Sequence, residues 1–88
     1  MKFFLITDDV DASVGLRLAG VESRVLPDLS QGQQAFDDAL RDDGVGVLMV
    51  SRRVAEAYQS RLEEIRRSRS LPLIVTLPDR ADEAEGKE

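Results

Sequence analysis

Val45-Gly46-Val47-Leu48-Met49-Val50, followed by Ser51, decides the fold. The run is apolar almost without interruption and too short for an amphipathic helix, which is the signature of a strand buried on both faces of a parallel sheet. Working outward, Lys2 to Thr7 (KFFLIT) and Leu73 to Leu77 (LIVTL) read as companion strands. Val21 to Leu26 (VESRVL) alternates Glu22 and Arg24 with apolar neighbours and reads as an edge strand. Helical patterns separate the strands. Asp8 to Ser13 form a polar turn and helix start, closed by Gly15 to Gly20. Ser30-x-x-Gln33 has the form of a capping box ahead of Ala35, Phe36, Ala39 and Leu40, and this helix is expected to end near Asp43-Gly44. Ser51 can cap a third helix with Val54, Ala55, Tyr58, Leu62 and Ile65 on one face and Arg66, Arg67 and Arg69 at its C-terminal end.

The order is therefore βαβαβαβ. Such alternation implies an α/β fold with parallel strands, right-handed crossovers and helices on both faces. With the first and third strands central, the spatial order is 2-1-3-4, a truncated form of the flavodoxin- or receiver-like arrangement. Phe3, Leu5, Ile6, Val47, Leu48, Val50, Ile74 and Val75 are expected in or near the core. One domain over residues 1–78 and an acidic, disordered tail over 79–88 complete the expected organisation, since the tail has no apolar residue larger than Ala.

Composition bounds the chemistry. The 88 residues contain no Cys and no His, which removes disulfides, thiol and imidazole catalysis and the commonest transition-metal ligands. The net charge is −5, and Asp79, Asp82, Glu83, Glu85 and Glu88 against Arg80 and Lys87 place most of it in the tail. Neither part suits a nucleic-acid backbone. No apolar run approaches the roughly 20 residues that span a bilayer, and Lys2 is followed too soon by Asp8 for a signal peptide, so a cytoplasmic address without membrane insertion is expected.

Ligands and partners of such sheets favour the C-terminal ends of the strands, here Asp8, Asp9, Ser51, Arg52, Leu77 and Pro78. Asp8-Asp9 would hold Mg²⁺ in a receiver domain, but that chemistry also needs an Asp after the third strand and a Lys after the fourth. The chain has Met49-Val50-Ser51 and Thr76-Leu77-Pro78 there. The acidic pair is read instead as a helix cap, and Ser13, Ser51 and Tyr58, with no activating base, as capping or packing residues. Gly44-Val45-Gly46 precedes a strand and is a turn, not a dinucleotide fingerprint. The Arg66-Arg67-Ser68-Arg69 cluster is partly neutralised by Glu63 and Glu64 and reads as a solvated helix end. No catalytic residue, metal or cofactor is expected. Gly20 reads as the left-handed residue that ends the first helix with Val21 packing back, whereas Gly15 inside that helix costs about 1 kcal/mol relative to Ala, which a close approach by a strand, helix or partner backbone would account for.

Gly15, Arg17, Leu18, Ala19, Gly20, Val21 and Glu22, with Leu16 where Phe is usual, resemble the G-F-R-L-A-G-[IV]-E-like segment of the F subunit of the V/A-type rotary ATPases. VGVLMVS and LPLIVTLP resemble that family's later strands, so the likeness runs from about residue 2 to 78. It stops where the family usually adds another helix. The resemblance implies a non-catalytic central-stalk rotor component of a proton- or sodium-translocating ATPase or ATP synthase, bound to the coiled-coil D subunit, in contact with the soluble head and stalk and peripheral to the membrane. A degenerate receiver-like signalling domain is the alternative. The partner surface expected is the strand C-terminal edge with the first helix, where Leu16 and Arg17 fall outside a packed stripe of Val14, Leu18 and Val21.

Overall fold

Four parallel strands, Lys2–Thr7 (β1), Glu22–Val25 (β2), Val45–Val50 (β3) and Leu73–Thr76 (β4), pair in the order β2-β1-β3-β4 in a computed structural model that describes residues 1–78. The acidic tail expected over 79–88 lies outside the described residues. Four helices connect the strands: Val10–Leu18 (α1), Gly32–Leu40 (α2), Arg52–Ala57 (α3) and Gln59–Ser68 (α4). The α/β order 2-1-3-4 expected from the apolar runs is the one observed.

Local chemistry explains most boundaries. Asp9 caps α1 by accepting the backbone N–H of Asp11 at 2.9 Å, and its own N–H donates to the Thr7 hydroxyl at 2.9 Å. At the other end Gly20 sits at φ 88°, and the N–H groups of Gly20 and Val21 donate to the carbonyls of Arg17 and Leu16 at 2.9 and 3.0 Å. That bond pair is a Schellman closure, and the left-handed φ is what only glycine adopts without strain. Ser51 caps α3 by accepting the Val54 N–H.

Two boundaries differ from the sequence expectation. The Ser30/Gln33 box does not form, because Asp28 accepts the Ser30 N–H and starts a 3-10 turn over Leu29–Gln31, which puts Ser30 already inside the helical path. The long third helix is two helices broken at Tyr58 (φ −121°, ψ 34°). There the Tyr58 hydroxyl donates to the Leu29 carbonyl and accepts the Gly32 N–H at 3.1 Å, while its ring meets Phe36 edge-on at 5.4 Å. A Cβ on Gly32 would run into the Tyr58 ring, so glycine is what allows this approach.

The two faces of the sheet are built differently. On one, Ile6, Leu48 and Val50 pack under Phe36, Ala35 and Ala39 of α2, Val54 of α3, and Leu62 and Ile65 of α4. Each large side chain buried there stabilises the fold by roughly 1.5–3 kcal/mol. On the other face stand Leu5 and, in register with it, Ser23, whose hydroxyl lies 2.5 Å from that of Ser13 on α1. Two small residues let α1 sit close over β1 and β2. The expected core therefore needs correction: Leu5, Ile6, Leu48 and Val50 are buried, Val47 and Ile74 half-buried, but Phe3 on β1 and Val75 on β4 are exposed, because the helix on that side, α1, packs mainly on β2 and less on β1.

Candidate functional site

The carboxyl ends of β1, β3 and β4 are held together by backbone bonds that prolong the sheet: Ser51 N–H to the Ile6 carbonyl at 3.1 Å and Leu77 N–H to the Val50 carbonyl at 2.8 Å. This ledge brings Asp8, Ser51 and the start of α3 together. Ser51 Oγ donates to Asp8 Oδ1 at 2.7 Å, and the Arg53 guanidinium lies 3.6 Å from Asp8 Oδ2. Asp8 and Asp9 thus do separate jobs. Asp8 ties β1 to the α3 cap and Asp9 caps α1, so the two carboxylates are not poised as a pair of cation ligands. Among the described residues no three Asp, Glu, His or Cys side chains gather as a metal site.

Arg52, exposed beside this ledge, pairs with Glu56 one turn on at 3.4 Å. Leu77 is half-buried and Pro78 exposed. Arg53, not Arg52, supplies the charge next to Asp8, a choice that depends on the helical angle after Ser51 and has no signature in the sequence. The arrangement contains a carboxylate, a hydroxyl and a guanidinium already satisfied by one another. Chemically it is a structural latch with a polar outer surface, suited to contact.

Helix α1 presents the second part of the candidate surface, and differently from the expectation. Val14 is 42 % and Leu18 86 % exposed, whereas Leu16 is half-buried and Arg17 exposed. The inward position belongs to Ser13, because its bond to Ser23 sets the rotation of the helix. The expected packed stripe of Val14, Leu18 and Val21 is overturned for its two helical members, and Leu16 moves from the outer to the inner set. A groove of about 680 Å³ runs along α1 against β2, lined on the helix by Val10, Val14 and Arg17 and across from it by Val21 and Glu22. The spacing Val10, Val14, Leu18 repeats every fourth residue and was the available signal for an apolar stripe; its direction was not. Gly15 lies between these residues, and a Cβ added there would meet nothing within 4 Å. The close approach expected for it is not made within the described residues.

The charged groups elsewhere brace the connections. Arg24 on β2 reaches Asp38 on α2 at 2.6 Å, and hydrogen bonding from Arg24, then Gln34, holds the Asp38 carboxyl below its ordinary pKa of 3.8. Lys2 bridges Asp42 at 2.7 Å and Glu22 at 3.3 Å, which lowers the Asp42 pKa and raises that of Lys2. Arg61 joins α4 to Asp37 of α2 at 2.9 Å.

The family described as ATP synthase (F/14-kDa) subunit matches residues 4–88. The chain belongs to this family. A relative, the F subunit of the A-type ATP synthase of Methanothermobacter thermautotrophicus, is 27 % identical over 81 residues, covering 91 % of this chain and 76 % of its own length. No solved structure matches. An F subunit of an A/V-type ATP synthase works within a multisubunit complex, so the other components of that complex are its partners. Among the described residues of this chain no helix is long and apolar enough to cross a membrane.

Proposed function

We propose that the chain is a non-catalytic rotor component of the central stalk, seated on the coiled-coil D subunit and helping to couple ATP hydrolysis or synthesis to rotation of the shaft. It works on the cytoplasmic side of the membrane, in contact with the soluble head and stalk, and carries no cofactor of its own. The observation that carries the partner reading is α1. Its Val10, Val14 and Leu18 face solvent around a glycine whose Cβ position is open. An apolar helix stripe with an exposed Arg17 at its rim fits a helical shaft with aliphatic and acidic positions, since a planar guanidinium pairs bidentately with carboxylates. The adjoining ledge of Asp8, Asp9, Ser51, Arg52, Leu77 and Pro78 would extend that contact.

Co-purification with the D subunit tests this. Leu18→Asp and Arg17→Glu each alter a solvent-exposed side chain and should leave the circular dichroism unchanged while weakening the complex about tenfold or more, a loss near 1.4 kcal/mol. Leu16→Asp is the poorer probe because Leu16 is half-buried. Full binding by both exposed-site variants would remove α1 as the contact, and no binding by the parent chain would remove the shaft reading.

A further inference from the structure

Gly15 is a glycine that the fold itself does not need. It lies in the middle of α1 with ordinary helical backbone, where glycine is less favourable than alanine. At the other glycines among the described residues a reason is visible: Gly20 takes a left-handed φ, a Cβ on Gly32 would enter the Tyr58 ring, and a Cβ on Gly44 or Gly46 would crowd Asp42 or Met1. At Gly15 the Cβ position is empty to 4 Å and the residue is exposed. The missing side chain therefore leaves a notch in the outer surface of the helix. One flank of the notch is apolar. Leu18, three residues on, shares the outward face with Gly15, and Val14 and Leu18 form an exposed i, i+4 ridge beside it.

The geometry points to Gly15 as the crossing point of α1 on one helix of the shaft, with the partner's backbone settled into the notch and its side chains packed along the ridge of Val14 and Leu18. This role rests on the reading of α1 as the shaft contact. Packed helix axes stand about 8–10 Å apart depending on the side chains between them, and a small residue at the crossing brings two backbones to the near end of that range. A helix is the occupant that uses such a notch. A side chain from a loop, laid on this surface, would bury more apolar area against a larger residue at position 15, whereas a regular backbone approaches closest where there is none. The notch also continues the contact already proposed, since Val14 and Leu18 flank it. Glycine here gives up stability in the free chain for closeness in the complex.

Two measurements on Gly15→Ala should move in opposite directions. The free full chain should unfold about 2–6 °C higher, because the helix gains propensity and the added methyl meets nothing. Its complex with the D subunit should weaken at least tenfold, and Gly15→Leu, with more bulk at the same place, should weaken it further. Gln33→Ala, at an exposed position of α2 away from this surface, should leave binding unchanged. If Gly15→Ala binds the D subunit at full strength while Leu18→Asp does not, the crossing is overturned and the shaft reading stands. Full binding by both variants removes α1 as the contact, and the crossing with it. A lower unfolding temperature for Gly15→Ala would show that the glycine serves the fold, which overturns the crossing as well. Absence of any complex with the parent chain overturns both readings. Sedimentation of the free chain as a dimer that Gly15→Leu dissociates would assign the notch to a second copy and overturn its assignment to the shaft.

Discussion

The two faces of one sheet use the same residue types to opposite effect. Ile6, Leu48 and Val50 on one side are completely buried under three helices, while Phe3, Leu73 and Val75 on the other remain half exposed although they are no less apolar. The difference teaches that apolar strands record where burial is needed, not who supplies it. A near-continuous run such as VGVLMV satisfies the demand of both faces at once, and only the helix count on each face reveals that one demand is unmet within the described residues.

The sharpest way to break the comparison is to truncate one side chain on each face. Phe36→Ala, at a fully buried position, should cost about 3–5 kcal/mol in urea unfolding, whereas Val75→Ala should change stability by about 0.5 kcal/mol or less. Equal losses would mean that the open face is covered in the free protein. A smaller effect is expected from Tyr58→Phe, which keeps the edge-on contact with Phe36 but leaves the Leu29 carbonyl and the Gly32 N–H without their partner. The loss should be about 1–2 kcal/mol, read from the same unfolding curve, and no loss would show that the hydroxyl is replaceable by water.

Acid should produce the mildest change. The Asp38 and Asp42 carboxyls titrate below their ordinary 3.8 when folded, so between the folded and unfolded pKa values the unfolded chain binds more protons. Their contribution is present above about pH 4 and is lost as pH falls through the lower folded values. These groups are solvent-exposed, so Asp38→Asn and Asp42→Asn should only flatten the acid limb of a pH-stability curve. An unchanged limb would place the acid sensitivity elsewhere.

Much of the architecture was legible in the chain because it depends on local rules. Apolar runs of strand length, separated by helical spacing, specify parallel strands through the need for crossovers. Gly20 and Asp9 announce the two ends of α1 through backbone chemistry that involves only their neighbours. The orientation of α1 was legible only in part. Arg17 is exposed as expected, yet Val14 and Leu18, expected to pack, face solvent and Leu16, expected outside, is half-buried, since the rotation of α1 is set by a Ser13–Ser23 contact between residues ten apart. Likewise Asp28 took over the helix start expected of Ser30, and Tyr58 divides a helix whose apolar spacing runs through without a break.

By itself, the sequence determined the strands, their order and the absence of Cys and His, because hydrophobic period, turn chemistry and composition act over a few residues or over none. The tertiary structure alone decided which flank of α1 meets water, that Asp8 is spent on Ser51 and Arg53, and that Phe3 of β1 and Leu73 and Val75 of β4 stay exposed. Those outcomes depend on side chains far apart in the chain competing for the same space, and no window of sequence contains both competitors.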